Sequence, residues 1–246
     1  MAGADDHRVA AALAAETGRQ LLALRGAVAP AELRARGDAR GQEVLAALLG
    51  RLRPRDAVLS EEAADDPVRL ASRRVWIVDP LDGTREYGEP PRTDWAVHVA
   101  LWEDGDLVAG AVEAPAAGRA AGTGAAVPVP ARAPGPLRVV VSRSRPPALA
   151  HALHEQLGAQ LVPMGSAGAK ALAVVHGEAD AYVHAGGQHE WDSAAPVAVA
   201  RAAGLHASRL DGSALRYNRP DPSLPDLLVC RPEVAEAVLG VLAAAR

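Results

Sequence analysis

Four acidic residues stand where short apolar runs end or a helical run begins. Glu61 follows Ala57-Val58-Leu59, Asp79 and Asp82 follow Val75-Trp76-Ile77-Val78, and Asp192 precedes an apolar helical pattern. Strand ends are where α/β proteins build their sites. In Asp79-Pro80-Leu81-Asp82-Gly83-Thr84 the proline fixes φ after the first acid and the glycine permits a sharp turn after the second. Two carboxylates and the Leu81 carbonyl can therefore face one pocket. Carboxylates gathered in this way repel one another unless a cation neutralises them, and a set of hard oxygen ligands suits magnesium. Taken singly, each acid also has an ordinary reading. Asp79 to Thr84 makes a capped turn, Glu61-Glu62 a solvated acidic loop, and Asp192 the N-cap of the helix that follows.

The elements that must position these acids follow from periodicity. Apolar spacing predicts an opening amphipathic helix over residues 9–24 and a second over 42–52. Residues 26–41, with Pro30 and Asp38, read as a loop or irregular stretch between them. Residues 57–59 and 75–78 read as strands, and 94–102 with 107–113 as a hairpin about Glu103-Asp104-Gly105-Asp106. The Ala-, Gly- and Pro-rich stretch 115–136 reads as a loop with room for one edge strand. It is the candidate boundary between a metal-binding half, 1–135, and a half, 136–246, that completes the site. Beyond it, strands at 137–142, 161–162, 181–184 and 227–230 alternate with helices at 148–157, 167–176, 192–203 and 232–245. A mixed α/β architecture follows, antiparallel in its first half and alternating in its second.

Composition narrows the partners. The chain has 246 residues, long enough for a sizeable core, and with no Phe and four Trp that core must be built from aliphatics. A net charge of −4 lacks the cationic excess that binding a nucleic-acid polymer requires. The one cysteine, Cys230, closes no internal disulfide and ends the apolar run Asp226-Leu-Leu-Val-Cys230, which reads as a buried strand. The opening Met1-Ala-Gly-Ala-Asp-Asp-His7 is acidic where a signal peptide is basic and apolar. No run approaches the ~20 apolar residues of a membrane span. A cytoplasmic protein is the expectation.

Ser60-Glu61-Glu62, then Trp76-Ile-Val-Asp79-Pro-Leu-Asp82-Gly-Thr84, then Glu190-Trp191-Asp192-Ser-Ala194 running to Ala203-Gly204, resemble the paired signatures of the inositol monophosphatase superfamily. Arg85-Glu86-Tyr87 and Asp94-Trp95-Ala96-Val97-His98 are similar to its CysQ branch, the 3'(2'),5'-bisphosphate nucleotidases. Gly165-Ser-Ala-Gly-Ala-Lys170 and His184-Ala-Gly-Gly-Gln188 resemble the actinobacterial form of that branch, and the likeness spans residues 56–232. It implies a layered αβαβα sandwich and a magnesium-dependent phosphatase.

The resemblance also implies roles. Glu61, Asp79 and the Leu81 carbonyl would hold one Mg2+, and Asp79, Asp82 and Asp192 a second. Glu61, Thr84 and Asp82 would be the catalytic residues, with Thr84 and Glu61 orienting a water for in-line attack on phosphorus and no covalent intermediate. The Gly83 and Thr84 amides would receive phosphate oxygens. Ser142, Arg145, Gly168 and Lys170 would line the leaving-group pocket, where Arg145 and Lys170 can pair with a second phosphate. Arg145 and Lys170 read equally as solvated side chains, and His98, His184 and His189 as structural or exposed. A third, weaker metal site usually draws on an acid in the N-terminal loop. Asp38-Ala39-Arg40-Gly41 puts Gly41 at that place.

The expected reaction is hydrolysis of the 3'-phosphate of 3'-phosphoadenosine 5'-phosphate or its sulfated form in sulfur assimilation. Lithium inhibition and a homodimer are related expectations by resemblance. Fructose 1,6-bisphosphate and inositol monophosphate are the alternative substrates, and a catalytically silent metal- or nucleotide-binding regulator is the alternative of another class.

Overall fold

The structure, a computed structural model, describes residues 4–125 and 127–245. Met1 to Gly3 of the acidic opening run and Ala126 of the 115–136 stretch lie outside the described residues. The first sheet holds β1 (Ala57–Ser60), β2 (Arg74–Asp82), β3 (Ala96–Glu103), β4 (Asp106–Ala114) and β5 (Arg119–Gly122), in that spatial order. The second holds β6 (Arg138–Ser142), β7 (Gln160–Met164), β8 (Ala181–His189), β9 (His206–Ser208) and β10 (Ser223–Cys230), in the order β7-β6-β8-β10-β9.

Helices complete five layers. α1 (Ala4–Ala27) and α2 (Leu33–Leu52) cover the outer face of the first sheet. α5 (Ala167–Val175) and α6 (Glu190–Ala202) fill the space between the two sheets, and α4 (Leu149–Leu157) and α7 (Pro232–Ala244) cover the far face of the second. The short α3 (Thr84–Tyr87) follows β2. Period-two alternation divides the strands between layers. Trp76 and Val78 of β2 join the outer core under α1 and α2, whereas Val75 and Ile77 join the central one. In β6, Val140 faces the central core and Val139 and Val141 the outer core under α4 and α7. α5, enclosed by both sheets, is buried at every position, and its alanines let the layers approach closely. Cys230 is buried at the end of β10, as its apolar run suggests.

Three expectations are corrected. Residues 26–41 are not a loop: α1 runs on to Ala27, and after a 3-10 turn at Pro30–Glu32 comes α2. Its glycines disfavour a helix by propensity but serve packing. A Cβ on Gly37 would fall 2.6 Å from Tyr87 Cε1, and one on Gly41 would fall 2.9 Å from the Pro80 carbonyl oxygen. The first sheet is antiparallel except for β1, which pairs parallel to β2, and β9 is a strand that periodicity does not signal. Finally, α6 starts at Glu190, so Asp192 is its third residue, and from there its carboxylate reaches back to the His189 amide at 2.6 Å.

Candidate active site

β2 carries Asp79 and Asp82 to its last turn, and a register shift against β3 between them frees the Pro80-Leu81 segment from the ladder. Gly83 then takes φ 85°, the left-handed conformation that a β-carbon disfavours, and starts α3. Asp192 arrives from the other side of the central layer on α6. Oxygen atoms of Asp79, Asp82 and Asp192 lie within 4.8 Å of one another. Glu61, exposed immediately after β1, is outside that trio, yet its carboxyl feels all three.

The electrostatics of these acids differ in an informative way. Burial, with the charges of Glu61, Asp82 and Asp192, pushes Asp79 well above the usual carboxylate range. Its Oδ1 accepts the Leu81 amide at 3.0 Å, but the buried Oδ2 has no hydrogen-bond donor among the described residues. Burial and the charge of Asp82 raise Asp192 to about 6. Desolvation of the carboxyl where it faces the other acids, although the residue as a whole is exposed, then Asp192, Asp82 and Glu62, raise Glu61 to about 7.

Asp82 is the exception. Burial pushes it up, but His98, Lys170 and Ser166 together bring it down to about 2. Its Oδ2 accepts hydrogen bonds from Ser166 Oγ and, at 2.8 Å, from the Gly168 amide, and lies 3.1 Å from His98 Nε2. His98 is fully buried, with Nδ1 3.1 Å from the Trp191 carbonyl, so it spans from the β2 turn to the start of α6. With Oδ2 so occupied, Oδ1 is the oxygen left to act as a ligand.

A cluster of oxygen donors with mutual repulsion and an orphaned buried carboxylate oxygen fits a hard divalent cation. The fit rests on the donors and their charge: His98 and Lys170 act on Asp192, yet Asp79, Asp192 and Glu61 all stay above the usual carboxylate range.

The structure places the other expected residues as follows. Thr84 Oγ1 donates to Asp38 Oδ1 at 2.9 Å and lies 3.1 Å from the Leu81 carbonyl oxygen. Asp38, half-buried and raised to about 6 by that desolvation against the Thr84 hydrogen bond, is thus the α2 acid that faces the site. Gly41 packs on Pro80 instead, with no room for a side chain. A cleft of about 210 Å³ beside the acids is lined by Asp82, Asp192, Ser142, Arg143, Arg145 and Lys170 among others. Ser142 Oγ accepts the Arg145 amide at 3.2 Å. The Gly168 amide is engaged by Asp82, and a Cβ at Gly168 would fall 2.2 Å from His98 Nε2. Lys170 is buried, with Nζ donating to the Ser166 carbonyl at 2.6 Å and standing 5.1 Å from the Tyr182 ring centre, and burial lowers it to about 8. Ser166 and Arg143 are neighbours that sequence reasoning misses, whereas it leaves Asp38 out of the metal set and reads His98 as structural or exposed. Ser166 alone carried a local signal, as the side-chain N-cap of α5.

Comparison with known proteins finds similar chains and folds. A protein named 3'-phosphoadenosine 5'-phosphate phosphatase from Mycobacterium bovis is 53% identical over 239 residues, covering 93% of this chain and 90% of its own length. A 3'(2'),5'-bisphosphate nucleotidase CysQ from Escherichia coli K12 is 36% identical over 179 residues, 68% of this chain and 72% of that protein. The crystal structure of CysQ from Bacteroides thetaiotaomicron superposes with a TM-score of 0.77 at 26% identity, covering 92% of this chain and 97% of the other. An inositol monophosphatase from Staphylococcus aureus shares the fold at a TM-score of 0.79 and 20% identity, over 96% of each chain. Residues 29–245 match the inositol monophosphatase family, a span that takes in both sheets and every acid of the cluster, and the chain therefore belongs to that family.

Proposed function

We propose that this chain is a magnesium-dependent phosphatase that hydrolyses the 3'-phosphate of 3'-phosphoadenosine 5'-phosphate or its sulfated form. The likeness of more than half of its residues to a mycobacterial protein named for that activity carries the substrate assignment. The carboxylate cluster supports the chemistry. Asp79, Asp82, Glu61 and the Leu81 carbonyl, from a metal-binding half (1–135), and Asp192, from a half (136–246) that completes the site, would hold two Mg2+ ions. Bound there, the ions neutralise charge on the phosphoryl oxygens and lower the pKa of water.

The chain's own residues do the rest. Thr84, donating its hydroxyl proton to Asp38 at 2.9 Å, keeps its oxygen lone pairs as acceptors. It therefore turns a water so that one O–H points at Thr84 and a lone pair faces phosphorus. Glu61, with Thr84, orients the water and is the carboxylate that accepts its proton. Ser166, Gly168 and His98 fix Asp82 in one orientation. The Gly83 and Thr84 amides receive phosphate oxygens. Ser142, Arg145 and Lys170 provide the cleft for the leaving nucleoside and its second phosphate, a group that inositol monophosphate lacks.

The test is phosphate release with magnesium from 3'-phosphoadenosine 5'-phosphate, fructose 1,6-bisphosphate and inositol 1-phosphate side by side. A clear preference for the nucleotide is expected. Preference for a sugar or inositol phosphate overturns the substrate while keeping the metal site, and no release from any of the three makes the chain a silent binder. No helix of the described residues is long and apolar enough to cross a membrane.

A further inference from the structure

Glu61 and Asp192, the two acids of the proposed metal site that lie outside the Asp79–Asp82 turn, come from distant parts of the chain. Glu61 opens the connection between β1 and β2, and Asp192 lies in the first turn of α6. Local geometry does not fix their separation, but a hydrogen-bonded network centred on the buried Arg69 and Glu190 joins the two segments. Arg69, in the 3-10 turn Pro67–Ala71 of that connection, has no exposed surface. Its guanidinium donates to both oxygens of Asp65, at 2.6 and 2.9 Å, four residues beyond Glu61.

Arg69 also reaches across to the C-terminal half, donating to Asn218 Oδ1 and to the Arg219 carbonyl, each at 2.9 Å. Asn218 Nδ2 returns a hydrogen bond to the Arg69 carbonyl at 3.1 Å. Asn218 has φ 57°, a left-handed conformation that asparagine tolerates better than most residues. From there the amides of Asn218 and Arg219 donate to the two oxygens of Glu190, at 2.6 and 2.9 Å. The Glu190 amide donates in turn to the Pro222 carbonyl at 2.8 Å, and Tyr217 Oη lies 3.2 Å from Ser193 Oγ. Glu190 and Ser193 lie on either side of Asp192, so hydrogen bonds run from Asp65, four residues along the exposed chain from Glu61, to the first turn of α6, with Arg69 and Glu190 as the buried members. A guanidinium suits this junction because its planar fork serves a carboxylate, an amide oxygen and a carbonyl together.

We infer that Arg69 is a positioning residue: through Asp65 on one side and Asn218, Arg219 and Glu190 on the other, it sets the separation of Glu61 and Asp192. It thereby sets the affinity of the site for a divalent cation. The inference rests on the reading of Glu61 and Asp192 as metal ligands. Loss of such an outer partner costs about tenfold to a hundredfold in metal affinity.

Calorimetric titration with magnesium tests it on the full chain, comparing wild type, Arg69→Gln, Asn218→Gly and Asp79→Asn. Asn218→Gly keeps the left-handed backbone and both amide bonds to Glu190 while removing the side-chain ties to Arg69, so it decides the question if Arg69→Gln does not fold. The expected result is a dissociation constant raised about tenfold in both network variants, faster hydrogen exchange at the amides of residues 218 and 219, and no magnesium binding by Asp79→Asn. Network variants that melt earlier but bind magnesium within about twofold of wild type, beside an Asp79→Asn that does not bind, would reduce Arg69 to a brace of the fold and overturn the inference alone. Unchanged binding by Asp79→Asn overturns the metal-site reading itself, and the inference with it.

Discussion

Two sites of buried acid lie beyond the two ends of β8, Asp180 just ahead of it and the Asp79, Asp82 and Asp192 cluster past its end, and the fold treats them differently. Asp180, ahead of β8, is fully buried, and its carboxylate accepts the Arg138 amide at 2.9 Å, Arg138 Nη2 at 3.0 Å and Arg231 Nε at 3.1 Å, with Arg132 Nε 3.6 Å away. Burial pushes Asp180 up, but these partners, Arg138 first, hold it below the usual carboxylate range. Asp79, buried to the same degree, has one amide for a partner and an oxygen with none, and its neighbours are other acids. A buried acid that the protein neutralises with its own arginines is a structural tie. One left facing further acids marks a place where the missing positive charge comes from outside.

The comparison can be broken most decisively by neutralising one acid at each end. Asp79→Asn is expected to lower turnover at least about a thousandfold, equivalent to about 4 kcal/mol of transition-state stabilisation, without lowering the melting temperature of the metal-free protein. Steady-state phosphate release and a thermal melt check the two halves of that statement. Asp180→Asn should do the reverse. Leaving the arginines without their acid costs about 3 kcal/mol of stability, about 9 °C in Tm, while turnover per folded molecule is retained.

A smaller effect separates ligands from the water-orienting pair. Asp38→Asn leaves the trio of Asp79, Asp82 and Asp192 untouched but weakens the acceptor that holds Thr84, so kcat should fall about a hundredfold with magnesium affinity preserved. An Asp38 variant that loses magnesium binding in proportion to its activity would place Asp38 among the ligands instead.

The smallest effect is in pH. Glu61 and Asp192 are raised in the folded state, to about 7 and about 6, so the stability they contribute is fully present below about pH 4 and is lost as pH rises through those values. Asp180, held low, contributes stability above its unfolded value that is lost as pH falls through its lower folded value. In the metal-free protein, the melting temperature of wild type relative to Glu61→Gln should therefore decline between about pH 5 and pH 7. Magnesium displaces the same protons, so its apparent affinity should climb over that window. Titrations in buffers of different ionisation heat should show proton uptake by the buffer, and a pH-independent affinity would contradict the repulsion on which the site reading depends.

What the sequence made legible was local. Asp79-Pro-Leu-Asp82-Gly-Thr84 carries its own turn chemistry, and the alternation in β2 and β6 sorts residues between layers without reference to partners. Asp38 and the first half of α2, ahead of the predicted 42–52 helix, were illegible for a long-range reason. Gly37 and Gly41 weaken the helical signal of that segment, and the benefit that offsets them, close passage over Tyr87, Leu81 and Pro80, comes from residues some forty positions away. The same holds for His98 and Arg69. Each looks like an ordinary polar residue in an ordinary run, and its meaning lies in contacts with Trp191 and Asn218, which nothing nearby in sequence announces.

The most direct test of the central claim is a crystal structure of the protein soaked in manganese, with the metal located by its anomalous scattering. Peaks bounded by Asp79, Asp82, Asp192 and Glu61, absent from Asp79→Asn crystals grown alike, are the predicted result. Manganese found only at surface acids, with the cluster empty, would contradict the account.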